Sequence, residues 1–579
     1  GNAIYLAVYM LFNIFFAAFL FMRSGRADQT SRPKSNYWRY AYLVAIALQT
    51  IILYNTASRG VTLGLIGGAL FAALFIAIFE RKNKKVRTAA ISGLVALAVL
   101  IGGFWLVRDA DFVQKSPVLT RFASLSPSEI KSQGRYFIWP MAIAGFKDRP
   151  ILGWGQEGFN HVFNKYYNPA MYNQEPWFDR THNAFLDWLI AGGAIGLLSY
   201  LSILGALIFY LFRSSSLSVR EKAVFLGLVA AYIFQSIFVF DNLMGYIYLF
   251  SLLAFVHFDS TTKSKSPAAS ASVSAPIVWL DRLAKNENLA QKVVVPIVVL
   301  ATIFAIYFIN IKPILANREL IVAIDPGQST PEQSLEHFEN IFSRNTFGNS
   351  EAREQMMFAI GRFQSPEVSD EVRKKFVNEV VKQFEIQVKQ TPTDTRYLLF
   401  YGGVLGRFGR FSEAIPVLEK ALENSPQKQQ VLFELGTSYI NSGNRQPALE
   451  VLKKAYELAP GFPEARFLYG LSAIYNKDLK LADSLLSNLD RKDIVFNERI
   501  LVAYNSINES SRSIDILKAR IVLEPNNPQH YFFLAVAYFR AGNRFASIAE
   551  LRKAVEVEPK AKGQVDFLIK EIQAGKNPF

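Results

Sequence analysis

Eight apolar runs of membrane-spanning length constrain this chain more than any other feature; they lie at residues 3–22, 38–56, 60–79, 87–107, 183–212, 220–240, 242–258 and 291–310. A helix needs about 20 apolar residues to cross a bilayer core. Inside lipid, only a helix or a closed barrel satisfies every backbone N–H and C=O. Continuous apolar runs, without the alternation of barrel strands, therefore predict helices. Charge then predicts orientation. Arg23, Arg26, Arg32, Lys34 and Arg39 follow the first run, Arg81, Lys82, Lys84, Lys85 and Arg87 the third, Arg213, Arg220 and Lys222 the fifth, and Lys263, Lys265, Arg282 and Lys285 the seventh. Each basic loop lies two runs from the last, so one topology satisfies the positive-inside rule. It puts the Ser58-Arg59-Gly60 turn, the long loop 108–182 and everything after residue 310 outside.

The net charge of +15 is spread over short loops and a polar tail, and no basic helix carries interleaved stacking aromatics. Membrane lipids are thus the expected anionic partner, not nucleic acid. With no cysteine in the chain, disulfides, iron–sulfur clusters and thiolate zinc sites are excluded. Gly1 stands inside an apolar run, so further spans are expected to precede it.

Five regions follow. Residues 1–258 form the transmembrane region with its outward loop. Residues 259–290, rich in Ser, Ala, Lys and Pro, bury too little apolar surface to offset ordering entropy and are expected to be a flexible cytoplasmic linker. Residues 291–310 are the final span, and 311–394 an outward helical connector. Residues 395–579 repeat: Leu398, Gly402, Gly409, Ala414, Ala421 and Pro426 recur as Leu432, Gly436, Gly443, Ala448, Ala455 and Pro460, a spacing of about 34 residues. Small residues where paired helices touch, with a closing proline, resemble the tetratricopeptide repeat, whose solenoid offers a binding surface for a protein partner.

The outward loop gathers chemistry. Arginine keeps its proton, whereas histidine exchanges one near neutral pH, so Arg135 and His182 suit an anion clamp and a proton acceptor. A helix over 134–147 puts Arg135, Trp139 and Ile143 on one face, in the membrane interface. Two glycines around Trp154 permit a tight turn, and Asn183 adjoins His182 at the head of the fifth run. Structural roles compete: Arg59 reaching headgroups from a hairpin, Arg135 anchoring the interface with Trp139, His182 capping a helix with Asn183. His161 is a possible second participant. Asp109 and Asp111 are the paired carboxylates a metal-dependent enzyme would want, although loop carboxylates beside Arg108 are usually solvated.

In order, Ser58-Arg59-Gly60, Gly134-Arg135 with Trp139, Pro150 to Gly155 with Phe159, and His182-Asn183 resemble the O-antigen ligase and polymerase superfamily over roughly residues 50–212. The resemblance implies an all-α, polytopic, GT-C-like bundle in the bacterial cytoplasmic membrane, here followed by an extracytoplasmic repeat solenoid. It implies transfer of a glycan from undecaprenyl diphosphate to an acceptor on the outer face, by inversion and without metal or other cofactor. Arg59 and Arg135 would hold the diphosphate, His182 would activate the acceptor hydroxyl, and Trp139, Trp154 and Asn183 would line the substrate site. The acceptor stays open among lipid, glycan and protein. A non-catalytic, membrane-anchored repeat scaffold is the rival from another class, and a flippase a third.

Overall fold

The computed structural model describes residues 3–24, 37–124, 126, 129, 131, 133–262 and 290–579. Its regular elements are all helical among the described residues. Two compact units result: Gly1–Tyr166 with Gln174–Phe304, and Tyr167–Asn173 with Ala305–Phe579.

Among the described residues, nine helices carry the first unit's framework: α1 (Ala3–Ser24), α2 (Tyr37–Asn55), α3 (Arg59–Phe79), α4 (Lys84–Val107), α5 (Gly134–Asp148), α6 (Phe159–Lys165), α7 (Ala184–Arg213), α8 (Val219–Ser236) and α9 (Leu243–Thr262). Among the described residues, six helices are long and apolar enough to cross a membrane: α1, α3, α4, α7, α9 and the segment Gln291–Ile324. The other two expected spans, α2 and α8, are also helical but fall outside that set. In α8 the reason is visible, because Arg220, Glu221 and Lys222 occupy its first turn, where Ser218 and Glu221 close a capping box. Residues 259–262 of the expected linker are helical, since α9 runs to Thr262. Its residues 263–289, with Arg26, Arg32 and Lys34 of the first basic loop, lie outside the described residues.

Small residues set the closest packing. A Cβ on Gly68 of α3 would stand 2.4 Å from the Gly227 carbonyl oxygen of α8, and one on Gly227 2.6 Å from that of Gly68. Such mutual backbone approach is how apolar helices gain contact where lipid supplies no hydrophobic drive. Around this seam Phe12, Phe15 and Phe19 of α1 pack with Phe225 and Tyr232 of α8 and with Leu249 and Leu252 of α9. By contrast α4 buries none of its residues, as suits a lipid-facing helix.

In the second unit, the helices Lys312–Ile324, Pro331–Ser343, Asn349–Phe358 and Asp370–Gln390 occupy the expected connector. Helix pairs then follow the repeat, starting with Thr395–Arg407 and Phe411–Asn424, then Gln429–Asn441 and Arg445–Leu458, then Pro463–Tyr475 and Leu479–Leu486. Gly402, Gly436 and Gly470 each admit a leucine of the second helix, Leu418, Leu452 and Leu486, where a Cβ would overlap it at 2.4, 2.5 and 2.8 Å. The period thus records one packing contact made three times. Residues Tyr167–Asn173 group with these repeats. The Tyr172 ring stacks on Phe462 at 4.5 Å, Gln429 donates to the Pro169 carbonyl at 3.2 Å, and the Lys428 ammonium sits 4.6 Å from the Tyr167 ring. Fully buried, Lys428 has its pKa pushed down by desolvation to about 7.

Candidate active site

The Pro150 to Gly155 motif belongs to a break in α7. Gly193 there has φ 60° and ψ −155°, a conformation open essentially to glycine alone. The interruption frees backbone groups that cannot remain unpaired in an apolar setting. Residues 150–155 satisfy them. Trp154 and Gly155 donate to the carbonyls of Ile190 (2.7 Å) and Ala191 (3.0 Å), while Ala194 and Ile195 donate to those of Pro150 (2.8 Å) and Ile151 (3.4 Å). Space is minimal: a Cβ on Gly153 would lie 2.3 Å from the Ile190 oxygen. Residues Ala194–Arg213 beyond the break are by themselves long enough to span a bilayer, at about 1.5 Å per residue.

Before the break, the first turns of α7 hold His182. Asn183 caps the helix, its side chain accepting from the N–H of Phe185 (3.0 Å) and Leu186 (3.1 Å). Thr181 is wholly buried; its N–H donates to Asp187 Oδ1 at 2.8 Å, and its carbonyl accepts from Trp139 Nε1 at 3.0 Å. Between these two anchors His182 takes φ 55°. A left-handed backbone at a non-glycine residue costs about 1–3 kcal/mol and persists only where its surroundings enforce it. The imidazole lies between Phe178 (5.8 Å) and Phe240 (5.5 Å). Burial first, and the Arg135 cation second, hold its pKa below the ordinary histidine value. The ring is therefore neutral and able to accept a proton at neutral pH.

Arg135 lies in the first turn of α5. Its Nη2 donates to the Phe238 carbonyl at 3.0 Å and its Nη1 makes a long contact to Gln133 at 3.4 Å, while Nε is buried with no hydrogen-bond partner among the described residues. No carboxylate pairs with it among the described residues, and burial lowers its pKa, although a guanidinium keeps its proton in proteins. Arg59 differs. Its guanidinium pairs with Glu129 at 2.7 Å and donates also to the Ser124 hydroxyl at 3.1 Å.

What joins these residues is the connection 237–242 between α8 and α9. Phe238 receives the Arg135 bond, lies 6.4 Å from the Trp139 ring and sits 3.5 Å from where a Cβ of Gly60 would stand, while Phe240 faces His182. Beside it Asp241 accepts from Tyr232 (2.5 Å) and Tyr246 (3.1 Å). Sequence patterning hides its contact residues, since Ile237 to Phe240 continue an apolar run up to Asp241.

The structure thus gathers Arg135, Trp139 and His182, with the Arg59-Gly60 turn reaching the same connection through Phe238. Trp154 has a holding role, its indole donating to the Gly145 carbonyl at 2.8 Å under the Arg149 guanidinium at 4.2 Å. Asn183 Oδ1 is occupied by its cap. The face of α5 that packs on protein is Ile138, Met141, Ala142 and Gly145, so this helix is seated on its neighbours. Among the rivals, Asp109 pairs with Arg108 at 3.5 Å and Asp111 with Lys115 at 2.9 Å, both carboxylates largely exposed. His161 lies on α6, and Arg180 pairs with Glu157 at 2.5 Å. Asp187 escaped the sequence reading, although an acidic residue inside an apolar run is itself a signal.

Comparison with known proteins bears on two stretches of the chain. Residues 44–201 match the O-antigen ligase family. The O-antigen ligase region contains Arg59, Arg135, Trp139, Trp154, His182, Asn183 and Asp187, and stops short of the 237–242 connection. Residues 407–466 match the tetratricopeptide repeat. Together with the six apolar helices, the O-antigen ligase match makes this a multi-pass membrane protein with a ligase- or polymerase-like region. No curated protein matches the chain. Solved structures similar to it include "Crystal structure of MamA protein", at 24% identity over 29% of this chain and 94% of that one with a TM-score of 0.24. Another is "Crystal structure of YrrB: a TPR protein with an unusual peptide-binding site", at 16% identity over 32% and 97% with a TM-score of 0.23.

Proposed function

We propose that this protein transfers a glycan from an undecaprenyl diphosphate carrier to an acceptor hydroxyl on the outer face of the bacterial cytoplasmic membrane. One observation carries the proposal: a half-buried guanidinium, Arg135, has no carboxylate partner among the described residues and stands beside an imidazole held neutral. A buried cation without a counter-ion is costly unless an anion arrives. Displacement of a lipid diphosphate at the anomeric carbon builds negative charge on the leaving oxygen, which Arg135 stabilises by charge-assisted hydrogen bonds. Arg59 joins it when the donor displaces Glu129. His182 takes the proton of the incoming hydroxyl, a contribution of about 10²–10⁴-fold. A single displacement inverts the anomeric centre, and no step requires a metal.

Lipid, glycan and protein acceptors are all compatible with this chemistry, and a protein O-oligosaccharyltransferase is one form of it. The repeats supply a surface for a protein partner. The test is to express the full-length protein and identify by mass spectrometry which molecule gains glycan with the wild type but not with Arg135→Ala. A product that forms equally with both refutes the proposal and favours the scaffold.

A further inference from the structure

We propose that Asp187 is a positioning residue for the His182 imidazole, fixing through Thr181 the backbone from which that side chain projects. The inference rests on the catalytic reading of His182 given above. Three bonds define the strained residue. Asp187 Oδ1 accepts from the Thr181 N–H at 2.8 Å, and Thr181 Oγ1 lies 2.8 Å from the same oxygen. The Asn183 N–H, on the far side of His182, donates back to Thr181 Oγ1 at 3.3 Å. Thr181 therefore grips both flanks of His182, and Asp187 grips Thr181.

Geometry explains why position 187 does this. One turn into α7, its side chain points back toward the helix N-terminus, where the helix dipole favours a carboxylate. The opposite end of Thr181 is held by the Trp139 indole, so the segment cannot shift toward α5 to compensate. The second carboxylate oxygen, Oδ2, is buried with no hydrogen-bond partner among the described residues. A buried carboxyl group with one unpaired oxygen calls for an explanation, and the two contacts of its other oxygen with Thr181 supply one. Without it His182 relaxes to an ordinary backbone conformation and its ring leaves the Arg135 side of the cluster. Misplacement of a reacting group by about 1 Å costs on the order of 10²-fold in rate.

Full-length protein and variants are reconstituted with the host's own undecaprenyl-diphosphate-linked glycan and a crude envelope extract as acceptor, and release of undecaprenyl diphosphate is followed at varied donor. Asp187→Ala is expected to lower kcat by about 10- to 10²-fold per folded molecule with donor KM changed less than about twofold. Asp187→Asn, which keeps an oxygen for the Thr181 N–H, recovers most of that loss. Wild-type kcat in Asp187→Ala overturns the inference, as does a loss explained wholly by less folded protein, or an Asn variant as impaired as the Ala variant. His182→Ala is run alongside. If it turns over like the wild type, the catalytic reading itself fails, whereas an inactive His182→Ala beside a fully active Asp187→Ala removes only the positioning role.

Discussion

Gly193→Ala separates the helix break from a casual kink, because the adjacent glycine is its control. At Gly193 a Cβ would stand 2.4 Å from both the carbonyl carbon and oxygen of Ile151 and 2.8 Å from the Leu152 nitrogen. These are backbone atoms that cannot rotate aside. The residue would also have to keep φ 60° and ψ −155°. Such a conformation costs a non-glycine residue about 1–3 kcal/mol, and forcing an extra methyl into a packed contact about 1–3 more, giving roughly 2–6 kcal/mol. Gly192 has open space around its Cβ position, so Gly192→Ala is expected to be neutral or slightly stabilising, by up to about 1 kcal/mol. The assay is the thermal midpoint of detergent-solubilised protein, with donor turnover measured in parallel. Gly193→Ala should melt well below both wild type and Gly192→Ala and lose activity, since the turns ahead of the break carry Asn183 and Asp187. Equal midpoints for the two alanine variants would refute the stitched break.

Three further outcomes follow from the site and the repeats. Glu129→Gln removes the carboxylate that occupies Arg59, so donor KM should fall by about 3- to 10-fold, corresponding to the roughly 1 kcal/mol of a partly exposed pair; an unchanged or raised KM contradicts displacement of Glu129. Because the folded His182 pKa lies below the ordinary 6.5, the acid limb of kcat/KM should fall below pH 6.5, and a limb above that value contradicts a base held neutral by burial and Arg135. Lys428 titrates near 7 when folded but stays protonated to its ordinary 10.5 when unfolded, so the unfolded chain binds more protons in between and stability rises with pH from about 7 upward. Lys428→Met should flatten that dependence and raise the thermal midpoint at pH 7, by roughly 1–3 kcal/mol in stability; a wild-type pH profile in the variant would contradict it.

Apolar length and repeat period made the architecture legible, because bilayer thickness and a recurring Gly–Leu contact each leave a one-dimensional mark. Motif order likewise led to Arg135 and His182. Three features left no such mark. The Gly193 break sits in a run that reads as one helix, since its hydrogen-bond partners come from residues 150–155, distant in sequence. In the 237–242 connection, the residues that face Arg135, Trp139 and His182 are Phe238 and Phe240, as apolar as the spans around them. Glu129 is one loop acid among several until Arg59 is seen against it. Trp154 and Asn183 look like ligands by residue type, yet the Trp154 indole N–H and Asn183 Oδ1 are spent on the Gly145 carbonyl and the α7 N-terminus.

The most direct test of the central claim is release of undecaprenyl diphosphate from the lipid-linked glycan by full-length protein and by His182→Ala at saturating donor. A fall of about 10²–10⁴-fold in kcat, with donor KM unchanged, is the predicted result. Turnover by His182→Ala at the wild-type rate would contradict it.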